Sequence, residues 1–144
     1  MNVKVHCLGG QRFEMTAGGH KILSDQPFDN DGTDLAMTPP ELFLSSLGAC
    51  AAYYAEEYLQ LRALPLEDLE VRVSAVKGER PARIVSLEID VTAPGLTQRH
   101  RDGVLRAVDA CLLTNTLHTP PHVDVRVVGS PEAVEQEELI SVGR

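Results

Sequence analysis

The chain has 144 residues, of which 43% are hydrophobic and 24% are charged, and its formal net charge is −8. This length and composition are typical of one globular domain with its own hydrophobic core, so residues 1–144 are interpreted as a single domain. The acidic balance argues against partners such as nucleic acid or an anionic membrane surface, because both are bound through clustered lysine and arginine.

The sequence shows no membrane or secretion signal. The longest uncharged apolar stretch covers residues 42–55, and its 14 residues are too few to span a bilayer. The first residues lack the basic and then apolar pattern of a signal peptide, so a cytoplasmic location is expected. Thiols are kept reduced in that compartment, which means that the three cysteines do not indicate a disulfide framework.

The first quarter of the chain predicts short strands and a loop. Over residues 2–25 apolar and polar residues alternate between glycine pairs, which predicts an antiparallel meander. Residues 26–37 are rich in aspartate, asparagine and glycine and predict a loop.

A helix is predicted from residue 38 to about residue 61. Thr38 is suited to the N-cap, Pro39 to the first helical position, and Glu41 completes a capping box. Residues 42–54 are apolar or small on nearly every face, which is typical of a helix buried from several sides. Gly48 costs about 1 kcal/mol relative to alanine in a helix interior, which indicates a close packing neighbour.

The second half predicts two strands, a helix and a last strand. Alternation over residues 69–75 and 85–91 predicts a hairpin with residues 78–81 as its loop. An apolar stripe predicts a second helix from residue 97 to about residue 113. Residues 122–128 predict a final strand, and residues 130–132 the start of a short acidic helix. This order of elements is typical of an α+β fold.

Cys50 and Cys111 are the residues that point to a chemistry. They are 61 positions apart (111 − 50), too far for a CxxC redox or zinc motif, and each lies within a predicted helix. If the fold packs these helices together, the two thiols form a pair that can attack an oxidant and close to a disulfide. Taken alone, each is better explained as a buried core residue, and Cys7 is interpreted as structural.

A reactive Cys50 needs a positive charge nearby, because the thiolate is the nucleophile and burial raises the pKa of a thiol. Cys50 lies about three turns beyond the N-cap, where the helix dipole has no effect. Arg12 on the meander is the candidate cation, with a solvated strand charge as the equally weighted alternative. Glu41 is a candidate to orient an arginine, although capping already accounts for it.

A metal site is not expected. Two prolines separate His118 from His122, which prevents a helical ligand pair, and no third ligand is evident. No cofactor is expected either.

The segment from Thr38 to Cys50, TPPELFLSSLGAC, closely resembles the first-cysteine helix of the OsmC/Ohr family of organic hydroperoxide reductases. Residues 110–117, ACLLTNTL, resemble the family's second-cysteine segment, and the loop around Asp25 and Gly32 is also similar. The likeness covers about residues 1–128.

The resemblance implies an OsmC-like intertwined homodimer, with antiparallel sheets around two central helices and the site at the subunit interface. It implies a peroxidase of oxidative-stress defence in which Cys50 is peroxidatic, Cys111 resolves, and a thiol reductant, often lipoyl-linked, restores the pair. Two departures concern Glu41 and Arg12. The family's glutamate position holds Pro40, with Glu41 one residue closer to Cys50, and its arginine aligns near Ala17 instead of Arg12.

Two other functions stay open at this point. One is a non-catalytic small-molecule binding protein on the same fold, with the cysteines lining an apolar pocket. The other is a structural dimer module with inert core cysteines.

Overall fold

The chain opens with a three-stranded antiparallel sheet in the computed structural model, which describes residues 1–129. Its strands, in sheet order, are β1 (Lys4–Gly9), β2 (Arg12–Ala17) and β3 (His20–Ser24). Gly18 and Gly19 join β2 to β3 with φ angles of 54° and 85°, a backbone conformation that glycine adopts without steric cost. The predicted meander is confirmed.

The loop after β3 is held by the Asp25 carboxylate, which is 1% exposed. It accepts hydrogen bonds from three backbone N–H groups and one hydroxyl: Gln26 N (2.8 Å), Thr33 N (3.2 Å), Leu35 N (3.1 Å) and Thr33 Oγ1 (2.6 Å). The backbone N–H of Asp25 also donates to the Met37 carbonyl at 3.3 Å. These bonds fix the residues that lead into the first helix.

Helix α1 (Pro39–Gln60) matches the predicted helix closely. Its start is a capping box, in which the Glu41 carboxylate accepts hydrogen bonds from the backbone N–H and the hydroxyl of Thr38, both at 2.7 Å. Its fully buried side chains recur every four residues from Leu47 through Ala51 and Ala55 to Leu59, so one stripe of the helix faces the core.

A second antiparallel sheet pairs β4 (Glu70–Glu79) with β5 (Ala82–Thr92) and packs against α1. A Cβ at Gly48 would lie 3.2 Å from Cγ2 of Val73, which explains the glycine in the helix interior. The predicted hairpin is confirmed, but its loop is shorter than predicted. Residues 78 and 79 still pair in the ladder, so only residues 80 and 81 form the turn.

The predicted second helix is in fact two. Helix α2 (Gln98–Asp109) ends before Cys111, and α3 (Leu112–His118) begins directly after it. Cys111 has extended backbone angles (φ −66°, ψ 152°), and its sulfur accepts a hydrogen bond from the backbone N–H of Thr114. The sequence prediction followed the apolar stripe through Cys111 and missed that this residue caps a new helix.

The core lies between α1, α2 and the second sheet. Its buried members come from two helices and one loop: Ala51, Ala55, Leu59, Leu96, Val104 and Val108. None of the helices within residues 1–129 is both apolar enough and long enough to cross a membrane.

The predicted last strand is not formed. Residues 122–128 have no ladder partner among the residues that the structure describes, and the alternating valines are exposed, from 73% at Val123 to 98% at Val127. The alternation marks a segment suited to a sheet, but a strand also needs a neighbouring edge. The predicted acidic helix lies outside the described residues.

Candidate thiol site

Cys50 and Cys111 meet where α1 contacts the start of α3. The break between α2 and α3 places Cys111 beside α1, and the two thiols are close enough for each to shift the pKa of the other. A dithiol requires that the fold bring the two cysteine segments together, and this fold does so. Cys7 is instead exposed on β1, where it lies opposite Phe13.

The Cys111 sulfur is fully buried and is held by Thr114. The Thr114 hydroxyl lies 3.0 Å from the sulfur, and the Thr114 backbone N–H donates to it at 3.3 Å. Burial acts to raise the pKa of the Cys111 thiol, but the hydrogen bonds from Thr114 and the neighbouring Cys50 thiol outweigh it, and the net pKa is lowered. The two contacts with Thr114 therefore suit the Cys111 sulfur to carry a negative charge.

The Cys50 thiol has the opposite balance. Burial raises its pKa, the Cys111 thiol raises it further, and the opposing backbone hydrogen bonds at Leu113 and Leu112 do not compensate. Cys50 itself is partly exposed, whereas Cys111 is not. The pair thus combines a more accessible, less acidic thiol with a buried, more acidic one.

Glu41 and Arg12 do not contact the thiol pair in this chain. Glu41 is engaged at the capping box, and the Thr38 hydroxyl and backbone N–H lower the pKa of its carboxyl group. Arg12 is exposed at the start of β2, and within residues 1–129 no hydrogen bond or ion pair joins it to Cys50 or Glu41. Arg12 as the activating cation stays a prediction.

An apolar groove reaches the same corner of the fold. About 570 Å³ in volume, it runs between α1, the second sheet and α3, with Phe43, Leu87 and Leu117 among its lining residues. An adjoining cavity shares Leu87 and Leu117 with it and is also lined by Leu47 and Thr114. The groove therefore leads to the residue that holds the Cys111 sulfur.

Metal ligands are not gathered at this site. In the part of the chain that the structure describes, no three histidine, cysteine, aspartate or glutamate side chains are placed to hold a metal ion. His118 ends α3, and His122 instead lies 3.2 Å from the Asp124 carboxylate in an exposed pair.

Sequence reasoning missed Thr114. A signal was present, because Cys111 and Thr114 have the spacing of an N-cap residue and the third residue of its helix. Cysteine is not a usual N-cap, and the continuous apolar stripe concealed the helix start.

Comparison with known proteins identifies the family. The family model described as OsmC-like protein matches residues 32–126. No curated protein matches the chain.

Three solved structures share the fold. A Psychrobacter arcticus protein whose name refers to an osmotic stress induced and detoxification response is 20% identical, with a TM-score of 0.74 over 81% of this chain and 87% of its own. The organic hydroperoxide resistance protein OsmC of Legionella pneumophila is 21% identical, with a TM-score of 0.59 over 81% and 87%. The organic hydroperoxide resistance protein OhrB of Bacillus subtilis is 21% identical, with a TM-score of 0.56 over 88% and 96%.

The matched residues include α1, both strands of the second sheet, α2 and α3, and therefore both members of the thiol pair. The chain belongs to the OsmC-like protein family.

Proposed function

We propose that this protein is a thiol-dependent peroxidase that reduces organic hydroperoxides through a dithiol–disulfide cycle of Cys50 and Cys111. The observation that carries the proposal is the meeting of these two thiols, from positions 61 apart, at the start of α3. Family membership supports it, since structural neighbours are named organic hydroperoxide resistance proteins.

The oxidative half of the cycle begins at Cys50, the accessible member of the pair. Its thiolate attacks the terminal oxygen of the hydroperoxide, the O–O bond breaks, and the leaving alkoxide takes a proton to become an alcohol. Cys50 is then a sulfenic acid. The Cys111 thiolate attacks the Cys50 sulfur, the S–O bond breaks, and hydroxide leaves and takes a proton to become water.

The reductive half needs an external thiol reductant. A dithiol, such as a lipoyl group, transfers two electrons to the Cys50–Cys111 disulfide and is itself oxidised. The organic part of the substrate is accommodated by the apolar groove lined by Phe43, Leu87 and Leu117. The cavity that adjoins this groove is lined in part by Thr114.

We also propose that the protein works as a homodimer. The described chain leaves large apolar side chains of several elements exposed, among them Phe43 on α1 at 40% and Tyr53 on α1 at 60%. The alternating segment at residues 122–128 likewise lacks a partner within the described residues. Apolar surface of this extent is typical of a protein interface. Sedimentation of the intact protein at micromolar concentration tests this directly, and a stable folded monomer would refute it.

The proposed activity is tested by counting free thiols before and after one equivalent of cumene hydroperoxide. Wild type is expected to lose two thiols and to turn over with a dithiol reductant. Cys50→Ser is expected to consume no peroxide, whereas Cys111→Ser consumes one equivalent and stalls with an oxidised Cys50. Cys7→Ser serves as the matched control and is expected to behave as wild type.

Two outcomes contradict the proposal. Normal peroxide turnover by Cys50→Ser would show that the mechanism is wrong. A wild-type protein that is inert with a dithiol reductant would favour a small-molecule binding protein on the same fold.

A further inference from the structure

The proposed cycle of Cys50 and Cys111 assigns no role to Thr114, although this residue makes two contacts with a reacting atom. Its hydroxyl lies 3.0 Å from the Cys111 sulfur and its backbone N–H donates to the same sulfur at 3.3 Å. Thr114 is itself buried, at 9% exposure, so water competes little for these bonds. Its neighbour Thr116 is exposed, and the Thr116 hydroxyl donates to the Leu112 carbonyl of its own helix.

We infer that the Thr114 hydroxyl stabilises Cys111 as the leaving thiolate when an external reductant opens the Cys50–Cys111 disulfide. This inference rests on the proposed function for its setting, but it concerns disulfide chemistry alone. It assigns the reductant's point of attack to the Cys50 sulfur, because Cys50 is partly exposed and the Cys111 sulfur is fully buried.

A dithiol reductant opens the disulfide in two thiol–disulfide exchanges. One reductant thiolate bonds to the Cys50 sulfur, the disulfide bond breaks, and its electron pair goes to the Cys111 sulfur, where the Thr114 hydroxyl donates to the new charge. The second reductant thiolate then attacks the reductant sulfur that is bonded to Cys50. The mixed disulfide breaks, the reductant becomes a cyclic disulfide, and the released Cys50 thiolate takes a proton. A leaving thiolate of lower pKa departs faster, so a donor at Cys111 accelerates the first step.

The surroundings of Cys111 support this assignment. In the described chain, Cys50 on α1 is the titratable side chain that acts on Cys111, and the Cys111 backbone N–H donates to the Val108 carbonyl of α2. The titratable residues nearest to Cys111 along the chain, Asp109 and Arg106 on α2 and His118 on α3, are all exposed. Apart from the Cys50 thiol, the Thr114 hydroxyl is thus the side-chain donor that can stabilise a negative charge on the Cys111 sulfur.

The test uses the full chain oxidised with diamide, so that no peroxidase activity is needed, and follows reduction by dithiothreitol. Thr114→Val keeps the shape of the side chain and removes the hydroxyl. It is expected to slow disulfide opening at neutral pH by about tenfold, the effect of one lost hydrogen bond to a charged group. Thr114→Ser is expected to restore most of the rate, and Thr116→Val is the matched control with the wild-type rate.

A second readout separates this role from a structural one. The thiolate absorbance of Cys111, followed against pH in a Cys50→Ser background, is expected to shift to higher pH in Thr114→Val and to return in Thr114→Ser. Equal reduction rates and titration curves for Thr114→Val and Thr116→Val would overturn the inference, even in an active peroxidase. A clear Thr114 effect in a protein that consumes no hydroperoxide would instead refute the proposed function and leave the inference standing.

Discussion

Gly103 of α2 lies directly against the phenol ring of Tyr58 on α1, so closely that a Cβ at position 103 would overlap the ring. The Tyr58 hydroxyl lies 3.3 Å from Nδ1 of His100, and the Arg62 guanidinium lies 3.7 Å above the ring centroid. These contacts hold the ring in place between the two helices. The close approach of α1 and α2 therefore depends on glycine at this position.

We expect Gly103→Ala to destabilise the protein by about 1–3 kcal/mol, the usual cost of overpacking, despite the better helix propensity of alanine. Thermal unfolding measures the change. Arg99→Ala, an exposed position on the same helix, is the control and is expected to change stability by less than about 0.5 kcal/mol. The double variant Gly103→Ala/Tyr58→Ala is expected to lose less free energy of unfolding than the sum of the losses in the two single variants. Strict additivity of these losses would contradict the contact between Gly103 and Tyr58.

A second prediction concerns the capping box at the start of α1. Thr38→Ala is expected to lower the free energy of unfolding by about 1 kcal/mol, since a capping side chain is lost. Glu41→Gln is expected to remain close to wild type in stability, because glutamine also serves at this position of a capping box. Chemical denaturation of the two variants measures both effects.

The same variants separate capping from a role of Glu41 at the thiol pair. Glu41→Gln keeps the hydrogen-bonding shape but removes the charge, so a stable Glu41→Gln protein with much slower peroxide reduction would show that the carboxylate acts in the site. Unchanged activity would show that capping accounts for the residue.

The elements that were predicted correctly are those specified by short local patterns. The start of α1 follows from Thr38, Pro39 and Glu41 within four positions, and β4 and β5 follow from strict alternation. The end of α2 was missed because an apolar stripe continues through Cys111, whereas the break depends on a bond from Thr114 to a sulfur that rarely caps helices. The strand at residues 122–128 was overpredicted, since alternation does not supply a sheet edge.

For the site, the sequence predicted that Cys50 and Cys111 form a pair, but not how each thiol is stabilised. The pairing of Cys50 with Cys111 depends on the packing of α1 against α3, which no local pattern encodes. The lowered pKa of the Cys111 thiol likewise depends on a buried hydroxyl brought into place by the helix break.

A third prediction concerns acid stability and Asp25. The hydrogen bond from the Thr33 hydroxyl, assisted by the backbone N–H groups of Leu35, Gln26 and Thr33 and opposed by burial, lowers the pKa of Asp25 to about 2 from 3.8. A carboxyl group with a lowered pKa in the folded state contributes stability that is fully present above its unfolded pKa. That contribution is lost as the pH falls from 3.8 through about 2.

Asp25→Asn is therefore expected to be less stable than wild type at neutral pH, with the difference in melting temperature shrinking as the pH falls below 3.8. Thermal melts over this range measure the difference. Asp31→Asn is the matched control, because Asp31 lies in the same loop with φ 58°, which asparagine tolerates. A gap between wild type and Asp25→Asn that is independent of pH would contradict the role of the ionised carboxylate.

The last prediction concerns the charge that activates Cys50. Burial raises the pKa of this thiol, and within residues 1–129 no contact with Arg12 offsets it. We propose that the activating cation reaches Cys50 when two copies of the protein assemble. If Arg12 of a second copy supplies that charge, Arg12→Ala raises the pKa of the Cys50 thiol and slows its reaction with hydroperoxide. We expect this outcome, measured as the rate of Cys50 alkylation against pH in a Cys111→Ser background.

Lys4→Ala removes another exposed cation from the same sheet, in β1, and is the matched control, expected to leave the alkylation profile unchanged. Both variants are compared at a protein concentration at which the assembly is intact, because an effect that comes from a second copy is lost on dissociation. Identical profiles for Arg12→Ala and Lys4→Ala would show that Arg12 is a solvated strand charge. The backbone hydrogen bonds at Leu113 and Leu112 would then remain as the contacts that act to lower the pKa of the Cys50 thiol.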